Sequence, residues 1–130
     1  MNFIIPGEPT GKARPRVTRF GTHNTEKTIL YENLVKMCYQ TQIGLYTEKP
    51  LHISIVAKYG IPKSTPKKNI RPMLDGIIKP CKKPDADNIA KIILDALNGV
   101  AYKDDTQVYS LVVIKKYAET PQVEVFIQED

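Results

Sequence analysis

The sequence predicts an α+β fold, a mixed β-sheet with helices packed on it, and three observations point there. Ile89, Ile92, Ile93, Ala96, Leu97 and Val100 recur at helical spacing as one continuous apolar stripe. Leu51, Ile53, Ile55, Ala57 and Tyr59 alternate with His52, Ser54 and Lys58, the two-residue period of a half-buried strand. Further strand-like runs near Phe3–Ile5, Val108–Lys116 and Gln122–Ile127 supply neighbours for that strand. In chain order these elements read β-α-β-(α)-α-β-β.

Phe3–Ile5 is a short strand stopped by Pro6-Gly7, and residues 8–23, rich in Gly, Pro and Arg, read as a loop. Asn24 or Thr25 can cap a helix to about Gln42, with Gly44 just past its end. Its apolar side is expected to be Leu30, Leu34, Met37, Cys38 and Thr41. After the alternating strand, Ser64 can cap a short helix beginning near Thr65-Pro66, where proline is tolerated in the first turn. That helix ends around Gly76, and the Lys- and Pro-containing run to Pro84 is a loop or irregular strand. Asp87 or Asn88 is the expected cap of the striped helix, and Asn98-Gly99 its stop. The last two strands are expected to form a hairpin through Ala118-Glu119-Thr120-Pro121. With 130 residues and no repeat or linker, one domain over 1–130 is expected.

Composition narrows the function classes. The 42% hydrophobic and 25% charged residues are those of a globular protein. No apolar run approaches the roughly 20 residues that span a bilayer. The opening MNFIIPGEPTGK has no charged n-region, so no signal peptide and a cytoplasmic location are expected, with no membrane contact. Cys38 and Cys81 form no CxxC pair, and His23 and His52 stand alone, which argues against a zinc site. Net charge is +5, unevenly spread. Residues 58–83 carry eight Lys or Arg against Asp75 alone, and 12–19 add Lys12, Arg14, Arg16 and Arg19 without an acid. Residues 84–106 hold five aspartates against two lysines. Basic flanks around an acidic centre suit phosphate binding around a metal; solvated surface charge is the plain alternative.

The acidic centre runs Lys83-Pro84-Asp85-Ala86-Asp87-Asn88-Ile89-Ala90-Lys91, then Asp95, then Tyr102-Lys103-Asp104-Asp105. Pro84 biases its surroundings toward extended backbone, in which Asp85 and Asp87 point the same way. Asn88, Lys91, Asp95 and Asn98 share the helix face opposite the apolar stripe, and Lys91 stands one turn beyond Asp87. If the strand after Asp104-Asp105 lies beside the helix start, one of these acids completes a three-carboxylate site. Clustered carboxylates are costly unless a cation neutralises them, and oxygen ligands with open positions suit Mg²⁺ or Mn²⁺. Each acid also has an ordinary structural use: Asp87 as a cap, Asp95 as the partner of Lys91, Asp104-Asp105 as turn residues.

At these residues the chain resembles the RusA family of crossover (Holliday) junction endodeoxyribonucleases, found widely in bacteria and prophages. Three segments carry the likeness: Asp85-Ala86-Asp87-Asn88-Ile89-Ala90-Lys91, Leu94-Asp95-Ala96-Leu97-Asn98 and Asp104-Asp105-Thr106-Gln107. The opening Gly7-Glu8-Pro9 with Lys12-Ala13-Arg14-Pro15-Arg16 is similar as well. The resemblance implies a RusA-like fold and Mg²⁺-dependent hydrolysis of four-way DNA junctions by paired symmetric nicks, in recombination and repair. It implies that Asp85, Asp87 and Asp105 bind the metal, with Asp104 the lesser candidate, and that Lys91 assists catalysis. It also implies a homodimer with two active sites. Mn²⁺ is expected to substitute, and no small-molecule cofactor is expected. Lys12, Arg14, Arg16, Lys67, Lys68 and Arg71 are the expected DNA-binding residues. The rival readings are a non-catalytic basic DNA-binding module, a metal-dependent nuclease for flap or linear DNA, and a nucleotide hydrolase, which the basic excess fits poorly.

Overall fold

The computed structural model describes residues 1–130, with every side chain except that of Arg16. In chain order it holds β1 (Asn2–Pro6), β2 (Arg16–Thr18), β3 (Gly21–His23), α1 (Glu26–Gln42), β4 (Leu51–Gly60), α2 (Lys67–Leu74) and α3 (Ala86–Leu97). A 3-10 turn at Asp105–Gln107 then leads into β5 (Val108–Ala118) and β6 (Gln122–Glu129). The fold is α+β, with a four-stranded mixed sheet of order β1-β6-β4-β5.

The expected C-terminal hairpin does not form. β5 pairs parallel with β4 on one side, and β6 pairs antiparallel with β4 on the other. Pro121, in the link from β5 to β6, crosses the end of β4 so closely that a side chain on Gly60 would meet its ring at 3.6 Å. A short link signals a hairpin only when no third strand claims the space between. Here β4, whose inner face is wholly buried, takes the central place and requires a neighbour on each edge.

Leu51, Ile53, Ile55, Ala57 and Tyr59 point inward from β4, as their alternation predicts, and meet the buried stripe of α3. The face that α1 buries differs from the expected one. Thr28, Tyr31, Val35, Cys38 and Tyr39 face the core, whereas Leu30 and Met37 are 62% and 58% exposed. Tyr39 decides the matter. Tyr39 packs edge-on against Phe3, with centroids 5.3 Å apart, while its hydroxyl donates to the Leu45 carbonyl. A large ring with one satisfiable polar tip outweighs a leucine and a methionine on the opposite side. No helix among the described residues is long and apolar enough to cross a membrane.

The two sheet edges are treated differently. At β1 the Gln42 side chain acts as a short surrogate strand: Ile4 N donates to its Oε1 at 2.9 Å, and its Nε2 donates to Ile4 O at 2.8 Å. The outer edge of β5, eleven residues long, has no strand beside it among the described residues. Part of the segment expected to be loop is a separate two-stranded ribbon, with Arg16 opposite His23 and Thr18 opposite Gly21.

Candidate active site and nucleic-acid cleft

The N-terminal segment straps itself onto the start of α3. Lys12 N donates to Asn88 O at 2.9 Å, and Gly60 N donates to Glu8 Oε1 at 3.0 Å. A Cβ at Gly11 would lie 2.7 Å from Pro84 Cβ and 3.1 Å from Asn88 Cβ, so only glycine allows the approach. Tyr59, at the end of β4, donates from its hydroxyl to Pro84 O at 2.8 Å and fixes the same corner from below. The strap, α1 and the corner enclose a cleft of about 780 Å³ whose lining includes Arg14, Lys27, Lys82, Lys83, Asp85 and Asn88.

Asp85, not Asp87 or Asn88, occupies the N-cap position of α3, with extended backbone (φ −71°, ψ 155°). Its carbonyl accepts the first helical bond from Ile89 N at 3.0 Å, but its side chain makes no capping bond. An N-cap aspartate ordinarily turns its carboxylate onto the amides of the first turn. Among the described residues Asp85 has no ion-pair partner, and its carboxylate lies beside a helix N-terminus that favours negative charge. Asp87 follows in the first turn; it and Lys91 are exposed, and among the described residues neither belongs to an ion pair.

Asp95 does not pair with Lys91. It receives the Lys12 ammonium at 3.2 Å, which also lies 2.8 Å from Glu32 on α1. The Lys12 side chain is only 11% exposed, so its charge is taken up in locking the strap between α1 and α3. The remaining acids sit past the far end of α3. There Tyr102 is fully buried and donates to Leu94 O at 2.8 Å, folding the chain back before the 3-10 turn. Asp104 caps that turn and accepts from Thr106 Oγ1 at 2.9 Å. Gln107 binds the turn down: its Oε1 accepts from Lys103 N and Asp104 N, and its Nε2 donates to the carbonyls of Thr47 and Lys49. Asp105 is the acid of the pair left without a capping duty. Burial, then neighbouring Asp104 and Asp95, push its carboxyl above the usual aspartate range.

The acids therefore form two groups. Because α3 runs antiparallel to β4, Asp85 and Asp87 lie near the β4 terminus at Tyr59, and Asp105 near the β4 start at Leu51. α3, whose 12 residues span about 18 Å, carries Asp87 in its first turn and Asp95, the neighbour of Asp105, in its last. Ligands to one Mg²⁺ stand about 2.1 Å from it, so a single chain does not join the groups. Consistently, no three His, Cys, Asp or Glu side chains among the described residues gather closely enough to hold a metal ion.

Of the expected phosphate-binding residues, Arg14 lines the cleft, whereas Lys67, Lys68 and Arg71 are exposed on α2, with Arg71 3.1 Å from Asp75. The expectation for Arg16 falls on a side chain outside the described ones. The cleft adds Lys27, Lys82 and Lys83. Lys82 lies over the rings of Tyr59 and Tyr117, at 5.8 and 5.9 Å. Lys82 and Lys83 already stood in the basic run next to Asp85, but Lys27 sits in a separate helix and carries no sequence signal linking it to them.

The likeness noted in the sequence extends over nearly the whole chain. The profile of the family described as Endodeoxyribonuclease RusA matches residues 6–128. The uncharacterized protein YqaN of Bacillus subtilis (strain 168) is 32% identical over 140 residues, covering 99% of this chain and 96% of its own length. A match that takes in the strap, the free carboxylates at the head of α3 and the Asp104-Asp105 turn together leaves one conclusion, that this chain belongs to the RusA endodeoxyribonuclease family.

Proposed function

We propose that this protein is a metal-dependent endodeoxyribonuclease that resolves four-way DNA junctions by paired nicks on opposed strands. The observation that carries the reading is Asp85, an uncapping N-cap carboxylate in a cleft lined by Arg14, Lys27, Lys82 and Lys83. Cations along a cleft take up a phosphate backbone, and a free acid among them serves chemistry better than binding. Asp87 stands next to it, and Lys91, one turn on, can reach charge developing on a cleaved phosphate.

The third acid is supplied by a second chain. The β1 edge is closed by Gln42, while the β5 edge, which α2 also touches, has no strand beside it among the described residues. Antiparallel pairing of β5 with its copy, about a two-fold axis perpendicular to the sheet, keeps the helices of both chains on one side. It also brings the Asp105 end of each chain to the Asp85–Asp87 end of the other. A homodimer of this kind has two oxygen-ligand centres, each composed of Asp85 and Asp87 with an Asp105 from across the interface. The chemistry a bound Mg²⁺ or Mn²⁺ supplies there is charge neutralisation and polarisation of the scissile phosphate. Two centres related by a two-fold suit the two strands of a junction, in recombination and repair within the cytoplasm.

The test is cleavage of a labelled four-way junction beside flap and linear duplexes of matched sequence, with Mg²⁺ or EDTA. Paired symmetric nicks on the junction alone, lost in EDTA and in Asp87→Asn with junction binding retained, are the expected result. Cutting of flap or linear DNA in preference would assign a different nuclease, and binding without cutting in Mg²⁺ would leave a binding module.

A further inference from the structure

Among the described residues, the β2–β3 ribbon carries the most exposed of the large apolar side chains. Val17 is 81% exposed and Phe20 78%, the two highest values among the large hydrophobic residues described. An isolated two-stranded ribbon is marginal in water, and exposing its apolar side chains makes it more so. Yet this tip is built for a single shape. The Thr18 hydroxyl accepts from Phe20 N at 3.2 Å and donates to Gly21 O at 3.2 Å. Gly21 adopts φ +120°, which a side chain there would strain. The Arg19 guanidinium stacks over the Phe20 ring, 4.9 Å from its centroid.

Charge says what the tip meets. From residue 9 to residue 25 the chain has no acid, while Arg14, Arg16 and Arg19 are cations and Lys12 is neutralised internally. Arg14 lines the cleft that holds Asp85, and β2 begins two residues later. The ribbon therefore leaves the cleft wall as a basic arm tipped by an aromatic ring. An aromatic in a cationic frame offers a stacking surface for any base and leaves the phosphates to the arginines. Stacked duplex offers such a ring no free base face; a branch point, where stacking is interrupted, does.

We propose that Phe20 is a stacking wedge that takes an unstacked base at the DNA branch point and so helps distinguish branched DNA from duplex. The proposal rests on the junction reading above and deepens it. The chain contains no tryptophan, so Phe20→Trp introduces a single reporter at the tip. In EDTA, which prevents cutting, a saturating junction is expected to quench its emission to about half or less, and a duplex of the same sequence much less. Phe20→Ala is expected to bind the junction about ten-fold more weakly with an unchanged salt slope, because a stacking contact but no phosphate contact is lost. Because the residue is on an exposed turn, both variants should fold, which the far-ultraviolet spectrum checks.

Binding is followed separately by anisotropy of a labelled junction. A junction that binds while the tryptophan emission stays constant would overturn the wedge and leave the junction reading intact. Equal quenching by duplex would do the same. A blue shift on anionic phospholipid vesicles with no response to junction would assign the tip to a membrane surface. Failure of the wild-type chain to bind the junction at all would remove both readings together.

Discussion

If each centre draws acids from two chains, two inactive variants should repair one another. Asp87→Asn and Asp105→Asn remove acids that lie toward opposite ends of α3, whose 12 residues span about 18 Å. Each variant alone spoils both centres of its homodimer. In a mixed dimer the lesions fall together: one centre has both lost acids, and the other is intact. Unfolding an equimolar mixture and refolding it yields about half mixed dimers with one working centre each, so about a quarter of the wild-type nicking should return. A supercoiled plasmid carrying an extruded cruciform reads this directly. Wild-type dimers, cutting both opposed strands, release linear DNA; a mixed dimer, cutting once, releases nicked circles. Asp85→Asn mixed with Asp87→Asn is the control, since both acids lie at the same end and every mixed dimer lacks a complete centre. Differently tagged chains verify that mixed dimers have formed. If they have, and the Asp87→Asn with Asp105→Asn mixture is as inactive as its parents, the two-chain centre is wrong.

Lys12→Met should destabilise the fold by leaving Glu32 and Asp95 facing each other without a cation. Breaking a buried pair costs about 3–5 kcal/mol, and the partial exposure of these acids trims it to about 2 kcal/mol, a fall in Tm of about 8 °C. Adding Glu32→Gln and Asp95→Asn should recover most of that loss; a single variant melting within about 2 °C of wild type would show that solvent already screens the cluster. Asp105→Asn should have the opposite effect on stability while abolishing cleavage. The Asp105 carboxyl is raised above its ordinary value of 3.8, so its contribution to stability is present below that value and is lost as pH rises through the folded value. In metal-free buffer the variant should therefore melt higher than wild type at pH 7 and equally at pH 3. A gain that persists undiminished at pH 3 would trace the effect to something other than ionisation.

How much of this was legible in the sequence depends on how local the cause was. The stripe of α3 and the alternation of β4 were readable because each residue's side is set by the period of its own element. The free acids of the Asp85–Lys91 segment were readable as residues, and so was the family likeness they carry. The face of α1 was not, because Tyr39 outweighs Met37 only once Phe3 of β1 is in place against it. Lys12 looked like one more surface cation until folding brought Glu32 and Asp95, from two different helices, to its ammonium. By itself the sequence determined the three helices and the four strands of the main sheet, though not the β2–β3 ribbon, since these follow from side-chain type and short-range spacing. Only the tertiary structure decided that β4 separates β5 from β6, and that α3 holds Asp85 and Asp105 apart. Both are set by long-range packing of a central strand and a rigid helix, which local sequence does not encode.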